Sequence, residues 1–488
     1  MKFFNNKYLY SSNELSDIPY KINKYEFPVF ELNENNICDL DKFIYEKENI
    51  GLKIVKTINI SNIFKTLLKY ILKNIKCIII YGIYNIKDIL DCLPNVEFIR
   101  METEKFYTLE LDLFNNLHNL KYLLINNFNI INSNNIQYNN KLIYLELTNS
   151  IVDDENILLY VNKNLHYLKL FKTYVKLCYL EEFINLKYIS IWDKNMYVEG
   201  NYIKNMTNLQ IMEIYNIDNV CDIEKFYDLK VVRLSLCNQI IDIKNLEFFH
   251  NIESLDIECN NMTYIESFEY LTKLKYLSIN SYNTINNILY NINSSSLEIL
   301  NISINTCNNE AINFELLKNM INLRSFKLVD ENYNTFLIID LNIIMKMKNL
   351  ENLYIENIYI KNIENINYLN NIKNLNLINN KISNIDFIYN NINIIELNLS
   401  RNLIYDITNL KYLKKLKKLS LNTNNIIDIS PILHLNKLDY INIKYNNLND
   451  INILKYIKSE SKQINIYIDK IYIHDKLQEH KLLKIFYI

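Results

Sequence analysis

The stretch Leu416–Ile432, LKKLSLNTNNIIDISPI, has an uneven spacing of apolar residues that decides the fold. Its leucines lie three and then two residues apart, an asparagine follows three residues later, and isoleucines return after two and three more. The same spacing recurs in the stretches that begin at Ile372, Ile394 and Leu438. The asparagine of these four copies falls every 22 residues, at Asn380, Asn402, Asn424 and Asn446.

Each interval of this pattern has a structural reason. Alternate residues of a strand point to the same face, so the leucines that lie two apart enter one core. The asparagine stands where the chain turns, and its amide can bond backbone groups of neighbouring coils that would otherwise be buried without partners. One coil cannot cover its own apolar side, so stability comes from stacking on the next coil. The pattern is that of a leucine-rich repeat.

Repeats with looser spacing extend towards the N-terminus. They begin near Leu350, Leu323, Leu297, Leu274, Ile252, Leu229, Leu209, Leu186, Leu165, Leu142, Leu120, Val96 and, as the most distant candidate, Ile75. The turn asparagine recurs in two of them, which gives a predicted structural ladder of Asn260, Asn305, Asn380, Asn402, Asn424 and Asn446. Polar Ser150, Thr173 and Cys237 take the turn position in other coils, and apolar Phe128, Ile217 and Ile358 take it in three more.

These repeats predict an α/β fold, a right-handed solenoid shaped like a horseshoe, with one parallel β-sheet on its concave side and short 3₁₀ or helical segments on its convex side. We expect the solenoid to span residues 75–457. Residues 1–74 are predicted to form an N-terminal cap region with an amphipathic helix that starts after Ser61, and residues 1–60 show no repeat. Residues 458–488 are predicted to form a C-terminal cap, with a last strand at INIYID and a short helix at HDKLQEHKLLKIF.

The phrase Asp428-Ile429-Ser430-Pro431-Ile432, followed by Leu435 and Leu438, resembles the DISPLxxLxxL phrase of the bacterial internalins. The chain is therefore similar to the 22-residue class of the leucine-rich-repeat superfamily, which also includes cytosolic regulators of type-1 phosphatase. This resemblance implies that Pro431 opens a 3₁₀ turn on the convex side. The abundance of Ile, Asn, Lys and Tyr indicates an AT-rich genome and resembles the leucine-rich-repeat gene family of insect poxviruses, which would make this a viral protein.

Composition excludes several function classes. The 488 residues are 49 % hydrophobic and 22 % charged with a net charge of −2, so a core can form but no basic surface for nucleic acid or anionic membrane is indicated. The 3 glycines are isolated and cannot build a phosphate-binding loop. The 8 cysteines are scattered and the closest histidines, His474 and His480, do not share a helical face, so we expect free thiols, no metal and no cofactor. These features favour a cytoplasmic monomer without a signal peptide or transmembrane segment.

The concave strand face carries the candidate binding residues. Its first outward position is aromatic in five successive coils, at Phe98, Tyr122, Tyr144, Tyr167 and Tyr188. The third outward position adds Phe171, Trp192 and Tyr215, and acidic Glu213, Asp256 and Glu258 follow along the same face. Stacked strands lie about 4.8 Å apart, so these rings would form a contiguous ladder. Such a ladder is typical either of a protein-binding surface or of cross-strand packing.

The predicted function is a non-enzymatic scaffold that binds a protein partner on the concave face, as an adaptor or regulator. The alternative is a ubiquitin-ligase-type effector, or a substrate receptor of a ligase. Cys38-Asp39 is similar to the Cys-x-Asp of repeat-linked bacterial ligases, but its spacing differs and no span remains for their helical catalytic domain. The densest basic run, KYLKKLKKL at Lys411–Leu419, is expected to be a solubilising surface on the convex side.

Overall fold

The structure is a computed structural model that describes residues 29–32, 50–54, 75–82, 87–91, 93–193, 195–217, 226–236, 242–243, 250–259, 264–265, 270–281, 296–304, 314–332, 337–461, 463–469 and 483–487. Several predicted features lie outside these residues: Cys38, the helix after Ser61, Cys237, Asn260, Asn305, His474 and His480. The chain divides into two compact units, Met1–Cys237 and Asn238–Ile488.

The strands of the first unit follow one another along the chain, one for each coil except the coil that begins near Leu142, which has two. They are β1 (Val29–Leu32), β2 (Ile50–Ile54), β3 (Ile75–Tyr81), β4 (Phe98–Glu110), β5 (Tyr122–Ile131), β6 (Tyr144–Thr148), β7 (Ile151–Val152), β8 (Tyr167–Phe171), β9 (Tyr188–Trp192), β10 (Ile211–Tyr215) and β11 (Val231–Leu236). All of them except β7 pair in parallel with the next in order, and β7 pairs with the end of β5. The ladder thus includes β1 and β2, in a region where the sequence shows no repeat.

The second unit repeats this arrangement. Its strands are β12 (Asp242–Ile243), β13 (Ser254–Cys259), β14 (Tyr264–Ile265), β15 (Tyr276–Ser281), β16 (Ile299–Ile304), β17 (Ser325–Asp330), β18 (Ile338–Asp340), β19 (Asn352–Glu356), β20 (Tyr359–Lys361), β21 (Asn374–Asn376), β22 (Glu396–Asn398), β23 (Lys418–Ser420), β24 (Tyr440–Asn442), β25 (Ile464–Ile468) and β26 (Leu483–Tyr487). Two small parallel pairs, β12 with β14 and β18 with β20, lie apart from the main ladder, in which the remaining strands pair in parallel.

Short helices connect the strands on the side away from the sheet. Lys87–Leu90 and Ile157–Tyr160 are α-helices of one turn each. The 3₁₀ helices are Leu111–Phe114, Ser133–Tyr138, Cys178–Glu182, Gly200–Tyr202, Phe314–Asn319, Leu341–Lys346, Ile363–Tyr368, Asp386–Ile388, Thr408–Tyr412, Ser430–His434 and Asn452–Tyr456. Pro431 lies in the first turn of its helix, as the internalin resemblance implies.

The core lies between the strands and these helices. Leu416, Leu419 and Leu421 of the opening stretch are completely buried, and Ile429 is 1 % exposed. The unevenly spaced apolar residues therefore enter one core, as predicted, since the strand residues and the residues after the turn fill the same interior. The prediction of stacked coils with a parallel sheet is confirmed.

Many coils of both units share one backbone conformation at the turn after the strand. The residue before the turn position has a positive φ in nine coils, at Asn127, Asn149, Lys172, Asn216, Asn357, Asn379, Arg401, Thr423 and Tyr445. Coils whose turn position is the apolar Phe128, Ile217 or Ile358 are among them. Their register is therefore that of the asparagine coils, although their turn side chains are different.

A second column of polar side chains, absent from the predicted residues, bonds the first backbone N–H groups of five 3₁₀ helices of the second unit. Its members are Asp340, Asn384, Asp406, Asp428 and Asp450. They lie 22 residues apart, except that Asn362 stands between the first two and makes no such bond with its side chain. Each side-chain oxygen accepts the backbone N–H two residues later, at 2.6–2.9 Å. These bonds satisfy donors that the start of a helix leaves unpaired.

One predicted element is wrong. The end of the expected helix at residues 474–486 is a strand, because Leu483–Tyr487 pairs in parallel with β25. In LKIFY the apolar Leu483 and Ile485 alternate with Lys484, and the Phe486 ring stacks on Tyr467 with centroids 4.6 Å apart. The neighbouring strand offers backbone bonds and a ring contact, which outweigh the helical spacing of this short segment.

Candidate protein-binding face

The first outward column of the first unit is a continuous row of rings. Adjacent centroids from Phe98 through Tyr122, Tyr144 and Tyr167 to Tyr188 are 6.1, 6.2, 5.9 and 6.4 Å apart, with the ring planes tilted by 37–42°. The parallel register places each ring directly opposite the next, as in the pair of Tyr144 and Tyr167. The five residues predicted to form a ladder are therefore in contact along the row.

Most of this row is hidden from solvent. Phe98, Tyr144 and Tyr167 are only 8, 5 and 7 % exposed, whereas Tyr122 and Tyr188 are half-buried. The row continues into Ile211 and Val231, which form a small hydrophobic cluster with Tyr144 and Tyr167 on the outward face of the sheet. These rings contact one another, so packing explains the three buried members without a partner.

The second outward column of the first unit carries charges that neutralise one another. Arg100 bonds the Glu102 carboxylate of the third column at 2.9 Å, and Lys169 bonds Glu146 at 3.0 Å on neighbouring strands. The Tyr144 hydroxyl donates to Glu146 at 2.7 Å. Burial and the Glu146 carboxylate raise the pKa of Tyr144 above its usual range, so the hydroxyl keeps its proton and remains a donor.

The third outward column exposes more of its rings. Phe171, Trp192 and Tyr215 are half-buried at the ends of β8, β9 and β10. The Trp192 and Tyr215 centroids are 5.8 Å apart. The Arg233 guanidinium lies 5.9 Å from the Trp192 centroid and the Lys172 ammonium lies 5.4 Å from that of Phe171. Each cation is close enough to be attracted by the ring face beneath it.

A buried carboxylate ties the first and third columns together. Glu213 is 6 % exposed, accepts the Tyr188 hydroxyl at 2.9 Å and lies 3.7 Å from an Arg233 nitrogen. Because Arg233 also covers Trp192, the positions of Tyr188, Glu213 and Trp192 depend on one another. Arg233 was not among the predicted residues, although it occupies the second outward position of the coil that begins near Leu229.

The other two acidic residues of the predicted patch lie in the second unit. Asp256 and Glu258 are on the outward side of β13, where Asp256 is half-buried and Glu258 is exposed. Their neighbours on β15 are Ser278 and Asn280. Glu213 belongs to the first unit and is bonded there, so the three carboxylates have different surroundings.

The turn asparagines of the second unit join successive coils through buried amides. The Asn402 oxygen accepts the backbone N–H groups of Asn380 and Ile382 at 3.0 Å, and its nitrogen donates to the Leu377 carbonyl at 2.8 Å. Asn424 accepts from the Ile404 N–H at 3.0 Å. Asn380 and Asn446 make the corresponding bonds to Ile358 and Ile426. Each amide thus satisfies backbone groups that are buried between coils.

Hydroxyl groups make the same connection in the first unit. The Phe128 N–H donates to the Ser150 hydroxyl at 3.3 Å, and the Ser150 N–H donates to the Thr173 hydroxyl at 3.1 Å. Ser150 in turn donates to the Thr148 carbonyl at 2.9 Å. A hydroxyl reaches fewer backbone groups than an amide does, so these turns contain fewer bonds between coils.

The described residues contain no group of three or more His, Cys, Asp or Glu side chains placed to hold a metal ion. Within the same part of the chain, no helix combines the length and the apolar character needed to cross a membrane.

Comparison with known proteins was made at the level of sequence and of structure. No protein-family model matches the chain, and no curated protein matches it in sequence. A leucine-rich-repeat protein of Leptospira interrogans matches in structure with a TM-score of 0.50 and 15 % identity, over 89 % of this chain and 99 % of that one. TLR13 in the TLR13–ssRNA13 complex matches with a TM-score of 0.50 and 16 % identity, over 86 % of this chain and 71 % of that one.

The fold is a leucine-rich-repeat solenoid. An internalin, InlF of Listeria monocytogenes, is similar with 19 % identity over 67 % of this chain and 87 % of that one, at a TM-score of 0.45. At these identities the likenesses concern the fold alone. The narrower 22-residue class and the insect-poxvirus family therefore stay predictions.

Proposed function

We propose that this leucine-rich-repeat chain is a non-enzymatic scaffold that binds a protein partner through the outward sheet face of its first unit, as an adaptor or regulator. The observation that carries the proposal is the arrangement around Trp192, whose ring centroid lies 5.8 Å from that of Tyr215 and 5.9 Å from the Arg233 guanidinium. Beneath it, Glu213 is buried and bonded to the Tyr188 hydroxyl. We name Tyr188, Trp192, Glu213, Tyr215 and Arg233 the tryptophan site.

The chemistry of the tryptophan site suits a protein interface. Trp, Tyr and Arg are the residue types in which interface binding energy is concentrated, and they act best when they are largely desolvated. The site stands on three adjacent parallel strands, so the side chains start from a fixed backbone. Little conformational entropy is then lost on binding, which favours affinity.

The burial of each predicted ring decides how much it can contribute to binding. Tyr167 is 7 % exposed and packs into the ring row, so its main role is structural. Trp192, Tyr215 and Tyr188 keep part of their surface open to solvent. We therefore assign the binding energy to these three rings and to Arg233, with Phe171 at the margin of the site.

The charges of the face favour protein over nucleic acid as the partner. Arg100, Lys169 and Arg233 each lie within ion-pair distance of a carboxylate, namely Glu102, Glu146 and Glu213. A surface that binds nucleic acid needs cations that remain available for phosphates. TLR13 forms a complex with ssRNA13 on the same fold, so the fold itself does not decide the partner.

The free thiols of Cys77, which is buried, and Cys178, which is exposed, support a reducing compartment for this scaffold, and we place it in the cytoplasm as a monomer. Cys77 is a free, buried cysteine, and burial raises the pKa of its thiol to about 12. A thiol with such a pKa is not ionised at neutral pH and reacts slowly with oxidants. Fluorescence microscopy should find the tagged chain in the cytoplasm. Sedimentation of the purified chain should give the mass of a monomer.

The test begins with capture of a partner by the tagged full chain from its native cell and continues with both proteins purified. Titration calorimetry should show Trp192→Ala binding about 30-fold more weakly than the parent, the equivalent of about 2 kcal/mol. Its thermal midpoint should stay within the error of the parent, because an outward, half-exposed ring supports little of the core.

Tyr138→Ala is the matched control, because Tyr138 is 51 % exposed and ends a 3₁₀ helix away from the sheet. It should bind as the parent does. Equal affinities of Trp192→Ala and the parent would overturn the assignment of the site. Catalytic turnover of the captured partner by the purified chain would overturn the non-enzymatic scaffold.

A further inference from the structure

The basic run in the second unit occupies one flank of a single coil. It begins at the end of the 3₁₀ helix Thr408–Tyr412 and continues into β23. Lys414, Lys415 and Lys417 are exposed there. The helix and the strand are fixed on either side of them, so the three ammonium groups are held on a short, ordered connection.

Lys414 and Lys415 bond neutral groups, whereas Lys417 attracts the Asp439 carboxylate without forming an ion pair with it. Lys414 donates to the His434 carbonyl at 3.0 Å and Lys415 donates to the Asn393 side-chain oxygen at 2.6 Å. In contrast, Lys418 on the adjoining strand pairs with Glu396 at 2.6 Å. Within the described residues, no carboxylate lies at ion-pair distance from Lys414, Lys415 or Lys417. An ammonium group has three donors, so each of these lysines can still bind an anion.

Apolar side chains are exposed beside the lysines. Ile392 is 55 % exposed on the preceding coil, immediately before the asparagine that Lys415 bonds. Tyr389 and Tyr412 are 51 and 37 % exposed, and their rings meet edge to face with centroids 4.8 Å apart. The exposed surface of these three side chains is open to the apolar groups of a partner. We name the surface formed by Tyr389, Ile392, Tyr412, Lys414, Lys415 and Lys417 the lysine flank.

Exposed carboxylates lie on the same coils as the lysine flank. Asp386 begins one 3₁₀ helix, and Asp406 and Asp428 accept the first backbone N–H of the next two. All three are exposed. A long polyanion such as RNA, laid across these coils, would meet the aspartates as well as the lysines and would be repelled. A short segment with its own carboxylates can contact the lysines alone.

We propose that the lysine flank docks an acidic peptide segment in which apolar residues alternate with carboxylates. The carboxylates of the segment pair with Lys414, Lys415 and Lys417, and its apolar residues cover Tyr389, Ile392 and Tyr412. This surface belongs to the second unit and is independent of the tryptophan site.

The probe is a short labelled peptide in which Glu alternates with Leu and Phe, titrated against the full chain by fluorescence anisotropy. The triple variant Lys414→Glu/Lys415→Glu/Lys417→Glu should weaken binding at least about tenfold, and added salt should weaken binding to the parent. The control Lys346→Glu/Lys361→Glu/Lys381→Glu makes the same charge change at exposed lysines of the same unit and should bind within about twofold of the parent. Trp192→Ala should bind the peptide as the parent does.

Equal losses in the two triple variants would overturn the proposal, because total charge would then explain binding. So would equal binding of a peptide with Lys in place of Glu, or tighter binding of a short single-stranded RNA through the same lysines. A melting curve is recorded for each variant. If the Glu variant is not folded, Lys414→Gln/Lys415→Gln/Lys417→Gln replaces it, and undiminished peptide binding by that folded variant would equally overturn the proposal.

Discussion

The first and second units stack similar coils but connect them with different side chains. In the first unit the leading outward column is a row of rings from Phe98 to Tyr188, with centroids 5.9–6.4 Å apart. In the second unit the corresponding positions on β19–β23 are Asn352, Asn374, Glu396 and Lys418. The Asn374 side-chain amide donates a hydrogen bond of 2.5 Å to the Asn352 side-chain oxygen. Lys418 and Glu396 form an ion pair at 2.6 Å.

The turns differ in the same way. The amides of Asn402 and Asn424 each make two or more bonds to the preceding coil, whereas the hydroxyls of Ser150 and Thr173 make fewer bonds between coils. Contacts in a solenoid are between neighbours, so each stretch of coils can be stabilised by its own kind of column. The first unit tolerates irregular turns because its outward face adds an apolar layer that the second unit lacks on β19–β23.

The largest effect is expected from removing a central ring of the first unit. Tyr144→Ala should lower the free energy of unfolding by about 4 kcal/mol, because it deletes a buried ring and removes one of the two hydroxyl donors to Glu146. Hydrogen exchange should quicken in β5–β9 and stay unchanged in the second unit. Tyr138→Ala, an exposed ring of the same unit, should change stability by less than about 0.5 kcal/mol. Similar effects of the two variants would show that the ring row is not structural.

The next effect depends on pH and tests whether the buried carboxylate of Asp330 destabilises the second unit when it is ionised. Asp330 is 1 % exposed and one of its oxygens has no partner. Burial, with a smaller contribution from Glu331, raises the pKa of Asp330 from 3.8 to about 6. The unfolded chain therefore ionises first as pH rises, so stability is lost between about pH 4 and 6 and the loss is complete above pH 6.

Asp330→Asn removes this loss. The variant should match the parent at pH 4 and exceed it by up to about 3 kcal/mol at pH 7, since each pKa unit corresponds to about 1.4 kcal/mol. Denaturant unfolding at the two pH values measures the difference. Asp340→Asn is the control of opposite sign, because the Asn342 N–H lowers the pKa of Asp340 and its ionised form is the stabilising one. A stability gain that does not change with pH would contradict the ionisation argument.

A smaller effect is expected at an amide of the second unit. Asn424→Leu leaves the Ile404 N–H and the Leu399 and Leu421 carbonyls without this partner, which should cost about 2 kcal/mol. Exchange of the amides in β22–β24 reports the change locally. Asn425→Leu makes the same substitution at the exposed neighbouring residue and should be nearly neutral. An unchanged denaturation midpoint for Asn424→Leu would mean that the amide column does not stabilise these coils.

The smallest effect is a gain at the turn before that asparagine. Thr423 has a φ of 59°, which is unfavourable for a β-branched residue, whereas Asn379 and Asn357 hold the same place two and three coils earlier. Thr423→Asn should stabilise the chain by about 1 kcal/mol. Asn379→Thr is the reverse change and should destabilise it, partly because the Asn379 amide also bonds Asn357. Losses in both variants would show that side-chain contacts at Thr423 outweigh its backbone strain.

The sequence predicted the coils where their spacing is regular. Leu375, Leu397, Leu419 and Ile441 recur every 22 residues, and the structure buries all of them in parallel strands. It did not reveal β1 and β2, because a short strand without the full repeat spacing cannot be told from other apolar runs. The strand Leu483–Tyr487 was mistaken for helix because five residues fit either period when their neighbours are unknown.

For the candidate site, the sequence identified which side chains share a column, because strand alternation and repeat length fix that directly. Tyr167 and Tyr188 were correctly placed in one row, and the bonds of Asn402 follow from its place in the turn. The pairing of Arg233 with Glu213 and its position over Trp192 required coordinates, since long side chains can choose between several neighbours.

The sequence by itself determined the repeat, the inward residues and the order of the columns, because all three depend on spacing along the chain. Only the tertiary structure decided which outward rings are buried: Tyr144 and Tyr167 are covered, while Trp192 and Tyr215 remain half-exposed. It also decided which lysines keep an available charge, since Lys418 meets Glu396 and Lys415 meets a neutral amide. Burial and ion pairing depend on distances between neighbouring coils, and those distances exist only after the coils have stacked.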